Sequence, residues 1–274
     1  MVLPSVHRRH VLAAVAACIL FAAFTTVAYA SHSWGGFHWP RSANPLTLNV
    51  GDNVSSVWDP YLDGAIADWN TPVGGYADVM NLVEVTGATR PKTCKPTAGR
   101  VEVCNSRYGN NGWLGIAQVW VSGTHITQAT TKLNDTYFTT ATYNTPAWRR
   151  LVTCQEIAHD FGLDHQDENF SNANVGSCMD YTNDPDGPPS NEHPNAHDFE
   201  QLEAIYGGHF DGGASAPGGT GGNGQDIGDD PSTWGQLRRS DAHGKPALYE
   251  RDLGNGHKVF TFVVWTEEAR GHHE

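Results

Sequence analysis

The sequence predicts an α+β domain. Residues 55–70 and 146–161 repeat their apolar residues at helical spacing, and the runs between them are short and rich in β-branched residues. Late in the chain a glycine-rich stretch separates a short tail from this domain.

The elements follow in order. Trp58, Leu62, Ile66 and Trp69 share one helical face, and Ser55 or Ser56 is placed to cap a helix over Ser55–Asn70. Asp78–Thr86 and Val101–Cys104 read as strands. Leu114–Val121 and His125–Leu133 flank Ser122-Gly123-Thr124, the pattern of an antiparallel hairpin. A second helix is expected from Pro146 to about Phe161. Thr145 is its cap, Pro146 suits its first turn, and Gly162 is placed to end it in the left-handed conformation. Two apolar stripes on this helix imply burial on most sides. A polar loop from Asp164 to Pro194 leads to a last helix, Ala196–Tyr206, capped by Asn195 and stopped by Gly207.

Residues 211–232 form a glycine-rich linker that cannot pack a core. Within the tail, residues 233–274, Trp234–Trp265 reads as a hairpin turned at Gly254-Asn255-Gly256. Such a piece is marginal alone, so it is expected to dock on something.

Composition narrows the function. The 274 residues carry a net charge of −13, with pI about 5.4 and 39% apolar residues. A core is available, whereas the clustered cations that contact nucleic-acid phosphates are absent. His7–His10 is basic, Val11–Phe24 is apolar, and Ala28-Tyr29-Ala30 is a small-x-small cleavage site. Residues 1–30 therefore read as a secretory signal peptide, because the apolar run is short of the ~20 residues a membrane span needs. Cys18 lies within it, and Val15-Ala16-Ala17 before it is a poor lipoprotein match. The mature chain is expected outside the cell, as a monomer with no membrane attachment.

Cleavage leaves Cys94, Cys104, Cys154 and Cys178. An even count outside the cell favours disulfides, and the absence of a C-x-x-C pair argues against a cysteine zinc site. Of three connectivities, Cys94–Cys104 with Cys154–Cys178 is the economical one.

The chemistry concentrates in QEIAHDFGLDH, residues 155–165. Gln155 and His159 are four apart and share one helix face, with Glu156 beside them. Gly162 permits a sharp turn, after which His165 can return to the same point. Three ligands of this kind make an open tetrahedral metal site, and a neighbouring carboxylate can act as general base toward a metal-activated water.

QEIAHDFGLDH followed by Cys178-Met179-Asp180-Tyr181 resembles the metzincin signature, HExxHxxGxxH and a Met-turn. The resemblance covers Trp34 to about Phe210 and is strongest to matrixin-like secreted bacterial members. It implies a zinc endopeptidase over residues 31–210, a mixed twisted sheet backed by the two helices, and a cleft beneath an edge strand. It further implies His159 and His165 as zinc ligands, Glu156 as general base and Met179 as the apolar floor. Tyr181 stands where some members place a tyrosine near the metal or the transition state. Peptide substrate would align on an edge strand within Leu114–Val121 or His125–Leu133.

The first ligand position departs from that pattern, for Gln155 stands where the signature has histidine. A glutamine carbonyl is a weaker zinc donor than imidazole. Gln155 binds through oxygen, or His125, His193 or His197 completes the site, or the site is degenerate. The corresponding rival functions are a secreted binding protein that keeps the fold without catalysis, and an enzyme acting on a non-peptide amide or ester. For calcium (Ca2+) the Asn183–Asp186 loop offers oxygens but matches no EF-hand pattern, so a solvated loop is expected there, as is a solvated His272–His273 tail.

Overall fold

The computed structural model describes residues 32–208, 210–211 and 227–270. The leader with Cys18, the glycine-rich residues 212–226 and His272–His273 lie outside the described residues.

Eight strands form one mixed sheet among the described residues. They are β1 (Leu46–Asn53), β2 (Met80–Thr86), β3 (Val101–Ser106), β4 (Trp113–Ser122), β5 (His125–Asn134), β6 (Gln236–Ser240), β7 (Pro246–Gly254) and β8 (His257–Trp265). Their order is β2-β1-β3-β5-β4-β8-β7-β6. β2, β1, β3 and β5 run parallel, and β4, β8, β7 and β6 extend the sheet in antiparallel fashion. The helices are α1 (Asp59–Trp69), the single turn α2 (Asp135–Phe138), α3 (Pro146–His159), α4 (Ala196–Tyr206) and the short α5 (Glu267–Arg270).

Local chemistry explains most boundaries. Thr145 caps α3 by accepting the Trp148 N–H, and Pro146 occupies its first turn. Asn195 caps α4 in a reciprocal box with Asp198. Gly162 has φ +106°, and a Cβ there would stand 2.6 Å from the Phe37 carbonyl oxygen. Asn255 and Gly256 both have positive φ, which makes the two-residue turn joining β7 to β8.

Several expected boundaries are corrected. α1 starts at Asp59, one turn later than expected, because the Ser55 carbonyl accepts the Trp58 N–H in a preceding turn. α3 ends at His159, since the 3₁₀-like bonds from Asp160 and Phe161 tighten the last turn. α4, by contrast, ends at Gly207 as expected. β1 is an additional strand, with Leu48 and Val50 buried and Thr47 and Asn49 exposed.

The largest correction concerns the open edge. β4 and β5, the strands expected to offer a substrate-aligning edge, are both interior. β8 pairs antiparallel along β4 from Trp113↔Trp265 to Ser122↔His257. β4 and β8 are both nearly all buried. One sheet face packs on the helices, while the other is covered by Trp113, Trp120, Trp234 and Trp265. The tail hairpin is stable because it docks as interior strands rather than standing alone.

The two helices meet beside the sheet. The Trp69 indole N–H of α1 donates to the Cys154 carbonyl of α3 (3.2 Å), and its ring meets Phe161 and Phe199. Disulfides join Cys94 to Cys104 and Cys154 to Cys178, with Cα separations of 5.9 and 6.0 Å. Among the described residues no helix is long and apolar enough to cross a membrane.

Candidate active site

α3 carries Gln155, Glu156 and His159 into the interior, all of them buried. After Gly162 the chain reverses, and Leu163 bridges to Ser33 in antiparallel fashion. This returns His165 to the helix end. The His159 and His165 rings stand nearly perpendicular, with their Nε2 atoms 3.0 Å apart.

The partners of the other ring nitrogens fix the tautomers. His159 Nδ1 lies 2.8 Å from the Leu163 carbonyl oxygen, and His165 Nδ1 lies 2.9 Å from Glu168 Oε1. A carbonyl and a carboxylate only accept, so both Nδ1 atoms carry the proton. Where both rings are neutral, each turns an Nε2 lone pair toward the other. Such lone pairs repel unless a proton or a cation lies between them. Burial, and then the neighbouring His165, hold the His159 pKa well below its usual range, which disfavours a second proton on that ring. A metal cation satisfies both nitrogens, and imidazole pairs whose Nδ1–H is held by a carbonyl or carboxylate are ordinary zinc donors. Nitrogen donors 3.0 Å apart also suit the roughly 3.3 Å edge of a tetrahedron with ~2.0 Å bonds.

Gln155 lies one turn before His159. Its Nε2 donates to the Cys178 carbonyl (2.7 Å), while its buried Oε1 accepts no hydrogen bond among the described residues. The amide is thus anchored to the 178–179 turn through nitrogen, and its oxygen is left as a desolvated donor atom.

Glu156 points toward the sheet and is fully buried. Burial first, and the charge of Asp160 second, push its pKa well above the usual carboxylate range, opposed by the backbone N–H groups of Val264 and Ala117. Neither oxygen makes a hydrogen bond of good geometry among the described residues. Gly115 of β4 makes the room. A Cβ there would stand 2.6 Å from Val152 Cγ1 and 2.9 Å from Glu156 Oε1.

The turn beyond Cys178 runs beside the residues after His165. Met179 is buried, its N–H bonded to Ser177 Oγ and its carbonyl to the Gln166 N–H. Asp167 and Asp180 form a parallel bridge. The Tyr181 ring lies 4.3 Å from the His165 ring, and its hydroxyl donates to the Val263 carbonyl of β8 (3.2 Å).

The histidines suggested as replacement ligands are elsewhere. His193 pairs with Asp68 at the surface, His197 pairs with Glu200 against His32, and His125 lies with Asp211. The structure instead brings in residues with no local sequence signal. Phe262 stacks on His159, and Arg239 of β6 binds both Asp164 and Glu168. Burial pulls the Glu168 pKa upward, but His165 and Arg239 outweigh it and hold the carboxylate below its usual range. Glu168, three residues after His165, was visible as an acid beside a candidate ligand. Phe262 and Arg239 lie far along the chain, and nothing local marks them.

No family model matches the sequence, and no curated protein matches it. Among solved structures the chain is similar to high choriolytic enzyme 1, a hatching enzyme zinc-protease from Oryzias latipes, the medaka fish. The identity is 12%, covering 64% of this chain and 96% of that one, with a TM-score of 0.33.

Proposed function

We propose that the chain is a secreted zinc endopeptidase of metzincin type. The observation that carries this reading is the pair of buried Nε2 atoms held 3.0 Å apart on His159 and His165, with each ring's Nδ1 bonded to an acceptor. His159 and His165 would hold the ion, with Gln155 Oε1 as the third protein donor. When bound, zinc lowers the pKa of a water and polarises a carbonyl. Glu156 takes up a proton from the attacking water and returns it to the leaving amine. A carboxylate with a raised pKa is suited to that exchange.

A polypeptide substrate is favoured by what lies over the site. β8 is an extended chain on β4 beside Glu156, with Phe262 on His159 and its Val263 carbonyl held by Tyr181. The space therefore accepts an extended backbone by strand addition. The same geometry sets a condition on turnover, namely that β8 leaves β4 before substrate enters. Tyr181 would then be free to donate to a substrate carbonyl or to the developing oxyanion. Two disulfides agree with an oxidising compartment.

The burial of Glu156 and His159 beneath β8 favours a second reading, a binding protein that keeps the fold and has lost catalysis. The test is zinc content together with peptide cleavage by the mature chain and by Glu156→Gln. Cleavage lost in the variant supports the peptidase. Zinc bound with no Glu156-dependent cleavage, even after β8 is released, supports the binding protein.

A further inference from the structure

We infer that His38, His125 and Asp211 form a second metal site, separate from the His159–His165 pair, which takes a divalent transition metal such as zinc. Their donor atoms all lie within 4.8 Å of one another. His125 Nε2 is 3.0 Å and His38 Nε2 is 3.5 Å from the same oxygen, Asp211 Oδ1. Two imidazoles and one carboxylate are a zinc donor set, and these separations bracket the roughly 3.3 Å edge of a tetrahedral site.

The surroundings are arranged as metal ligands require. His38 Nδ1 is 2.8 Å from the Gly36 carbonyl oxygen, which can only accept, so this nitrogen carries the proton. Its Nε2 therefore turns toward Asp211 either as a second N–H, with a charged ring, or as a lone pair for a metal. The Arg41 N–H holds Asp211 Oδ2 at 2.9 Å, leaving Oδ1 to face both histidines. Ligands oriented through their outer atoms in this way are the usual support of a metal site. His38 and Asp211 are largely buried, and the more open His125 side leaves an entry path.

The site would clasp three parts of the chain. His38 bridges to His125 at the start of β5, and Ile126 N–H donates to the His38 carbonyl (2.7 Å). Asp211 N–H donates to the Arg41 carbonyl (2.9 Å), just beyond the residues that follow α4. A metal here fixes the segment before β1 against β5 and anchors the chain where the glycine-rich stretch begins. Its role is therefore structural, and it stands whether or not the His159 pair is catalytic.

The experiment is zinc titration of the chelator-stripped full mature chain, with cobalt(II) absorption as a second readout. Wild type is compared with His125→Gln, Asp211→Asn and His38→Gln. His125→Gln keeps a donor toward Asp211 while removing the imidazole, so a cluster held only by hydrogen bonds tolerates it. The expected result is loss of one zinc equivalent in each variant, with a smaller rise in melting temperature on adding zinc. His159→Gln should leave that equivalent in place. The same zinc count in wild type and in the folded His125→Gln and Asp211→Asn chains would overturn the inference, leaving an ion-pair cluster only.

Discussion

The Phe262 ring lies face to face with the His159 imidazole, 4.0 Å between centroids and 10° between planes. Phe262 belongs to the tail and His159 to α3, so β8, the last strand among the described residues, covers the candidate site that the helix builds. The closure is extensive, because β8 pairs along the whole of β4 and Arg239 of β6 fastens the tail to Asp164 and Glu168. Cutting a specific protease site inserted within residues 212–226 should permit release of the tail strands and raise peptide cleavage above that of the uncut chain. Adding back a peptide spanning residues 257–265 should suppress it. Equal rates before and after release of the tail would show that β8 does not limit turnover.

Glu156→Gln removes the proposed general base while keeping the side chain's size. Cleavage of a peptide substrate should fall by about 10²–10⁴-fold with zinc content unchanged. Near-full activity in this variant would refute the assigned role.

Gln155→Ala deletes the buried Oε1 and the bond to the Cys178 carbonyl. Zinc affinity, measured by chelator competition at the His159 site, should fall strongly, and Gln155→His should raise it, since imidazole is the better donor. The histidine variant should also gain pH dependence, because its ring must lose a proton to bind. Equal affinity for wild type and Gln155→Ala would take Gln155 out of the coordination shell.

Cys154 precedes Gln155, and Cys178 precedes Met179, so their disulfide ties α3 to the turn beside His165. Replacing both with alanine should cost about 2–4 kcal/mol in denaturant unfolding. A smaller loss would mean that the Gln155–Cys178 hydrogen bond and the surrounding packing hold the turn unaided.

Gly115→Ala puts a methyl group against Val152 and Glu156. Overpacking of this kind costs about 1–3 kcal/mol, and displacing Glu156 should lower cleavage as well. An alanine variant with wild-type stability and rate would show that the carboxylate has room to move.

The gathering of Gln155, His159 and His165 was legible because its signals are local. Helical spacing sets Gln155 and His159 on one face, Gly162 supplies the left-handed residue, and His165 follows at a fixed distance. α4 was equally legible from Asn195 and its apolar stripe. β1 carries a period-two pattern in Leu46, Leu48 and Val50, but its place inside the sheet depends on pairing with β2 and β3. The pairing of β8 with β4 is likewise a long-range choice. His257–Trp265 reads as a hairpin arm, and only its burial on both faces shows that it needs a neighbour on each side. His125 illustrates the same limit, since composition marks it as a possible ligand but only the fold shows that it stands with His38 and Asp211.

The central claim is that a metal ion sits between His159 and His165. Anomalous diffraction at the zinc edge, from crystals of the mature chain grown with zinc, tests it most directly. The account predicts a peak about 2.0–2.1 Å from both Nε2 atoms. A zinc-replete crystal with no peak there, and the two rings joined by a direct Nε2–H···Nε2 hydrogen bond, would contradict it.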